Sequence, residues 1–355
     1  LYSGGDWHQA QAHTRADLSP GATVNGPALI IEDNQTIVVE PGWAAAITVR
    51  DHVVMRRVVA ADRAQVVGSA TADPILLEVF NNLFMNIAEQ MGLALQNTAH
   101  SVNIKERLDF SCAVFDATGA LVANAPHMPV HLGSMDRSVE AVITQNPDIR
   151  PGDVYALNAP YNGGTHLPDI TVVSPVFNDA GTQVLFWAAS RGHHADVGGT
   201  APGSMTPLAT TVDEEGVLID NFKLVDGGQF REVELHDLLL DHPYPVRNVV
   251  QNTADLKAQV AANERGAAEL RRMVDDFGLD VVQAYMQHVQ DNAAEEVRNL
   301  LGRLEDCSYS YETDTGQVIK VAITVDRDER QATVDFTGTS EAWENNFNAP
   351  EPVTR

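Results

Sequence analysis

Two copies of a His-x-x-Asp pattern lie close together, His166-Leu167-Pro168-Asp169 and His193-His194-Ala195-Asp196. Imidazole and carboxylate form a donor set that a divalent ion such as Zn²⁺ or Mn²⁺ accepts, with positions left open for water or substrate. Between the copies the chain reads as a hairpin: Ile170 to Phe177, a turn at Asn178-Asp179-Ala180-Gly181, and a return through Val184 to Ser190. A four-residue turn makes Phe177 oppose Thr182. Carried outward, that register sets His166 against His193, with opposed Cβ atoms about 5 Å apart; a slip of one residue substitutes His194. Pro168 bends the chain just before the strand, so two imidazoles and the Asp169 carboxylate converge at the open end of one hairpin. His131, in Val130-His131-Leu132-Gly133-Ser134, is a candidate further ligand. His194 and Asp196 read as ligands, as groups that orient a ligand, or as a general base and its partner. A lone histidine usually just hydrogen-bonds a loop carbonyl; the facing pair is what points to a metal.

Other segments carry weaker chemistry. Gly163-Gly164 and Gly198-Gly199 flank the histidines, where they serve as plain turns or let a backbone approach a ligand closely. In Lys105-Glu106-Arg107-Leu108-Asp109-Phe110-Ser111-Cys112, Arg107 and Asp109 could position substrate, Arg107 by gripping a carboxylate in bidentate fashion. The plainer reading is a solvated loop. Cys112 lies in an apolar strand pattern, which favours an inert buried thiol over a nucleophile. No Gly-x4-Gly-Lys-Ser/Thr phosphate loop occurs in the chain.

The elements that must position these residues are readable from periodicity. Asp73 as N-cap and Pro74 at the first helical position start a helix with an apolar stripe from Ile75 to Leu95, ending near Asn97. Two amphipathic helices follow at about Thr253 to Phe277, stopped by Gly278, and Asp280 to Leu304. Hairpins are expected at Phe110 to Phe115 with Leu121 to Ala123, and at Val318 to Val325 with Ala332 to Phe336. Residues 1–58 read as short β segments, among them Ala28 to Ile31, Thr36 to Val39 and Ala46 to Val49; residues 59–72 read as a linker. The fold class is α+β (mixed), with a small β-rich N-terminal segment before a larger domain of long helices and hairpins.

Composition excludes some roles. With 23 Lys+Arg against 49 Asp+Glu the net charge is −26, which leaves no basic excess to neutralise nucleic-acid phosphates or anionic lipid. Two cysteines cannot make a disulfide framework, so a reducing, cytoplasmic setting is expected. The chain opens on Leu1-Tyr2-Ser3 and closes on Thr354-Arg355, which reads as a piece of a longer polypeptide.

Several long segments resemble the hydantoinase B half of ATP-dependent 5-oxoprolinases. They are Ala88 to Gly92, Asn103 to Ala113, Asn124 to Met135, Gly164 to Asp169, Ser190 to Asp196, Ala201 to Met205 and Asp335 to Thr339. Gly26-Pro27-Ala28-Leu29-Ile30-Ile31-Glu32 is similar to the end of the hydantoinase A half. The resemblance implies residues 1–58 as the end of the A-like half and 73–355 as the N-terminal part of an α/β hydantoinase B-type domain. It further implies an A half that binds ATP and Mg²⁺ outside this chain and phosphorylates the lactam oxygen. The B half would then support hydrolysis to glutamate, ADP and phosphate. Related carboxylases carry a metal through a His-x-x-Asp and a later histidine, which transfers to His166, Asp169 and His193. The implied partners are the remaining parts of both halves, a small lactam substrate and further copies in a homo-oligomer, with no nucleic acid or membrane. The chain alone is expected to be inactive. Alternatives within the same resemblance are a hydantoin or other lactam hydrolase. From another class comes a docking module whose metal staples the fold.

Overall fold

The computed structural model describes residues 1–59, 71–131 and 133–354. Residues 60–70, most of the expected linker over 59–72, lie outside the described residues, as do 132 and 355. The chain divides into two compact units, Leu1–Val66 and Val67–Arg355.

Among the described residues the first unit has eight short strands: β1 (Tyr2–Ser3), β2 (Asp6–Trp7), β3 (Gln11–Thr14), β4 (Thr23–Asn25), β5 (Ala28–Ile31), β6 (Thr36–Val39), β7 (Trp43–Ile47) and β8 (Val53–Arg57). They form a pair β1-β2 and two three-stranded sheets, β3-β5-β6 and β4-β7-β8. Val24, Ala28, Ile30, Val39 and Ala45 fill the core between them. The strand expected over Ala46 to Val49 lies earlier, at Trp43–Ile47. Thr48 ends it, because its Oγ1 accepts the amides of Arg50 and His52 at 3.3 and 3.1 Å and turns the chain.

The second unit centres on a seven-stranded antiparallel sheet: β9 (Phe110–Phe115), β10 (Leu121–Asn124), β11 (Val154–Leu157), β12 (Asp169–Phe177), β13 (Val184–His193), β14 (Phe222–Asp226) and β15 (Gln229–Phe230). Their order is β10-β9-β13-β12-β11-β14-β15. Helices cover both faces, so the central strands are apolar on both sides. Cys112, Val114, Phe186 and Ala188 pack on one face against α1 (Pro74–Thr98), α3 (Val249–Phe277) and α4 (Leu279–Leu301). Ala113, Phe115, Val173, Trp187 and Ala189 pack on the other against α2 (Met135–Gln145). The expected cap of α1 is present: Asp73 Oδ1 accepts the amides of Ile75 and Leu76, with Pro74 first in the helix. A separate antiparallel sheet of β16 (Cys307–Glu312), β17 (Val318–Asp326) and β18 (Gln331–Asp335) follows α4. The mixed α+β class with a β-rich N-terminal segment is what the molecule shows.

The central hairpin departs from the expected register. Partners along β12 and β13 sum to 362, not 359: Asp169 opposes His193 and Thr171 opposes Arg191. The cause is the turn. Asn178 Oδ1 accepts the amides of Thr182 and Gln183, and the Asn178 amide donates to the Gln183 carbonyl, closing a six-residue loop. A bulge at Phe177 completes the shift. His166 therefore does not pair with His193 across the sheet.

Candidate metal centre

Successive side chains of a strand point to opposite faces. On β13 the odd residues Trp187 and Ala189 face α2, and Arg191 and His193 continue that row; on β12 Asp169, Thr171 and Val173 face the same way. Asp169 and His193, as opposed residues, meet directly: His193 Nδ1–H donates to Asp169 Oδ1 at 2.9 Å. His166 reaches the same carboxylate from the loop before β12. A tight turn, with the Asp169 amide donating to the His166 carbonyl, sets its Nδ1 3.3 Å from Asp169 Oδ2. The His166 and His193 rings lie 5.2 Å apart.

His131 comes from the turn Pro129–His131 that leads into α2. Its Nε2–H donates to Asp169 Oδ2 at 3.1 Å, and its Nδ1 accepts from the Ser111 hydroxyl at 2.9 Å. Thr165 Oγ1 donates to Asp169 Oδ2 at 3.2 Å. Three imidazoles and the Thr165 hydroxyl thus surround one carboxylate that is 1% exposed, with Ser111 behind His131. Burial would raise the Asp169 carboxyl, yet the hydrogen bonds from His131 and His193 and the field of His166 hold it well below the usual carboxylate range. His166 is lowered by burial, against the pull of Asp169. His193 is raised: burial opposes the charge, but the bond to Asp169 outweighs it.

This donor set suits a divalent ion. One ligand atom from each of His166, Asp169 and His193 lies within 4.8 Å of the others. Among the described residues the ion-pair partners of Asp169 are all histidines, which are neutral donors once deprotonated. His166 is a third exposed and opens on a cleft of about 720 Å³, whose walls include Tyr161, Thr165, Glu215, Trp343 and Asn346.

The remaining candidates fall elsewhere. His194 faces away from the cluster, onto α3, and is fully buried. Its Nε2–H donates to Gln259 Oε1 at 3.0 Å and its Nδ1 accepts from Asn252 Nδ2 at 3.2 Å, so both nitrogens are spent. Burial lowers it. Asp196 is engaged by Arg247, with Nη1 at 2.7 Å from Oδ2 and the Arg247 and Gly198 amides on Oδ1. Arg107 is exposed, and its charge acts on His193; Asp109 Oδ2 lies 3.9 Å from His193 Nδ1, beside the cluster. Cys112 is fully buried, which pushes its thiol up, and its amide donates to His127 Nδ1. The flanking glycines serve close packing: a Cβ on Gly164 would lie 2.3 Å from the Asn158 carbonyl, and one on Gly198 2.3 Å from that of Tyr244.

Sequence reasoning missed Ser111, Thr165 and Arg191. Arg191 is fully buried, and burial pulls its guanidinium down to about 10, still charged at neutral pH. A charged residue in the otherwise apolar row Trp187, Ala189, Arg191 was the available signal.

The hydantoinase B/oxoprolinase family model matches residues 73–355, and the hydantoinase/oxoprolinase C-terminal domain model matches residues 1–56. The chain is 42% identical over 383 residues to 5-oxoprolinase 1 of Arabidopsis thaliana, covering 100% of this chain and 30% of that protein. It is 38% identical over 368 residues to 5-oxoprolinase of Saccharomyces cerevisiae, covering 99% and 28%. The chain thus spans less than a third of the length of these curated relatives. Among solved structures, ATP-dependent caprolactamase from Pseudomonas jessenii matches with a TM-score of 0.71 at 28% identity, over 80% of this chain and 49% of that one. Acetone carboxylase in its nucleotide-free structure shares the fold, with a TM-score of 0.69 at 17% identity over 78% and 39%. The chain belongs to the hydantoinase B/oxoprolinase family.

Proposed function

We propose that this chain is the metal-bearing central segment of an ATP-dependent cyclic-amide hydrolase of the 5-oxoprolinase type. The observation that carries the reading is the buried Asp169 carboxylate ringed by His131, His166 and His193, with His166 opening on a cleft large enough for a small lactam. The names of its relatives supply the substrate class: 5-oxoprolinases along the whole chain and an ATP-dependent caprolactamase by structure. An amide is a poor electrophile, and phosphorylating its oxygen makes a leaving group that water can displace. ATP and Mg²⁺ would bind on the rest of the A half, so this segment alone turns nothing over. Its partners would be the remaining parts of both halves, in the cytosol.

His166, Asp169 and His193 would hold the divalent ion, Zn²⁺ or Mn²⁺, with His131 as a fourth donor or as the group that orients Asp169. When bound, such an ion supplies Lewis acidity, polarising a carbonyl or phosphoryl oxygen. The protein's own groups do the rest. The Asp169 carboxylate, which can only accept, sets the His131 proton on Nε2, and the Ser111 hydroxyl then donates to Nδ1 and holds the ring in place. The side chains of Trp343 and Tyr161 offer flat apolar surface to a small ring, and the hydroxyl oxygen of Thr165 offers a polar partner. Arg107, whose charge acts on His193 from outside the walls of the cleft, would be the partner for a substrate carboxylate. The test is 5-oxoproline-dependent ATP turnover in the full-length protein carrying His166→Ala. Lost turnover with an intact fold supports the reading. Full turnover refutes it, and a metal that only staples the fold would show as unfolding instead.

A further inference from the structure

Arg191 heads the fully buried side chains by size. Its guanidinium meets only uncharged oxygens: Nε–H donates to Thr171 Oγ1 at 2.8 Å, Nη1 to Ser134 Oγ at 2.5 Å, and Nη2 to Ser138 Oγ at 2.9 Å and the Ser134 carbonyl at 3.5 Å. A cation withdrawn from water ordinarily has a carboxylate in contact, because a lone buried charge is strongly disfavoured. Among the described residues none touches Arg191; the carboxylates that act on it through space are Asp169 and Asp136. The sheet explains the coupling. Arg191 opposes Thr171 on β12 and Ser111 on β9, one rung from the Asp169–His193 pair on the same face. Its field also reaches His166.

The charge sum has a consequence for the centre. Two neutral imidazoles and one carboxylate around a divalent ion leave a single positive charge, as in many His/carboxylate sites. Arg191 adds another. Among the described residues the cleft beyond His166 has no Lys or Arg on its walls and carries Glu215 and Glu351, so attraction for an anion at those walls has to come from the centre itself. We propose that Arg191 is a positioning residue that cancels the charge of Asp169, so that the bound ion presents its full double charge to an oxyanion ligand in the cleft. This rests on the reading that His166, Asp169 and His193 hold a divalent ion.

The test is Mn²⁺ binding to the chain, followed by water-proton relaxation, with and without inorganic phosphate. In the unaltered protein phosphate is expected to tighten Mn²⁺ about tenfold, since coupling between two ligands is reciprocal. Arg191→Met removes the charge at similar length. It should tighten Mn²⁺ alone about tenfold through lost repulsion, and bring the phosphate effect close to onefold. Arg191→Lys should restore both. If Arg191 only braces the fold, Arg191→Met weakens Mn²⁺ and leaves the phosphate effect unchanged, which overturns the proposal. Should Arg191→Met not fold, the unaltered protein decides: Mn²⁺ binding without a phosphate effect overturns the proposal and leaves the metal reading standing. No Mn²⁺ binding at all overturns both.

Discussion

The two His-x-x-Asp segments share a sequence pattern and differ in almost everything else. In the first, Asp169 begins β12, faces α2, and gathers His131, His166 and His193 around a carboxylate shielded from water. In the second, His193 ends β13 on that same face, while His194 falls on the opposite one and is held by Gln259 and Asn252. Asp196 then lies in the following loop, its oxygens taken by Arg247 and two amides. Strand alternation splits the second pattern between two environments. Spacing alone therefore does not make a ligand. A side chain needs the right face and a lone pair that no neighbour has already taken.

The sharpest way to break this contrast is to exchange the roles of the two carboxylates. Asp169→Asn should weaken Zn²⁺ or Mn²⁺ by more than about 100-fold, beyond the range seen on removing an outer hydrogen-bond partner. Asp196→Asn should leave metal affinity unchanged and cost about 1 kcal/mol of stability, since Arg247 is more than a third exposed and its pairing is screened. Metal titration and urea unfolding of both variants read the difference; equal metal effects would end the distinction. Next in size come the histidines. His194→Ala should destabilise the fold by about 2–3 kcal/mol, from a cavity and an unpaired Gln259 oxygen, with metal affinity retained. His166→Ala should do the reverse, losing metal with a stability change under about 1 kcal/mol, as its side chain is partly exposed. A smaller effect belongs to Ser111→Ala, which frees His131 Nδ1 and should cost about tenfold in metal affinity without unfolding.

The smallest effect is on pH dependence, and it has opposite signs for adjacent residues in the metal-free chain. His193 is raised, so it contributes stability that is full below the ordinary histidine value of about 6.5 and is lost as pH rises through its higher folded value. His194 is lowered, so its contribution is full above about 6.5 and is lost as pH falls toward its lower folded value. His193→Gln should flatten the alkaline side of the stability profile and His194→Gln the acid side. Imidazole resonances followed by NMR would give both directions independently.

Much of this architecture was readable from local pattern. Asp73-Pro74 announces α1 because the cap and the missing amide are local properties, and Gly278 marks the end of α3 for the same reason. The convergence of His166, Asp169 and His193 was also readable, although through a register that the molecule does not use. Asn178 closes a six-residue loop where Asn178-Asp179-Ala180-Gly181 reads as a four-residue turn, and nothing in the strand pattern reveals a side chain spent on two amides. The cluster survives the error because Pro168 takes His166 out of the ladder and folds it back over Asp169. The choice between His193 and His194 stayed open for a related reason: only the true register says which of them faces α2. β16 (Cys307–Glu312) passed unnoticed, its alternating Ser and Tyr being a strand signal weaker than the β-branched runs beside it. The second layer around the cluster, Ser111, Thr165 and Arg191, comes from three separate segments, and only tertiary packing unites them.

The most direct measurement is anomalous diffraction from crystals of the metal-replete protein, recorded on both sides of the Mn or Zn edge. A peak about 2.0–2.2 Å from donor atoms of His166, Asp169 and His193, and none beside His194 or Asp196, is the result predicted. Metal-replete protein with no peak at those three side chains would contradict the account.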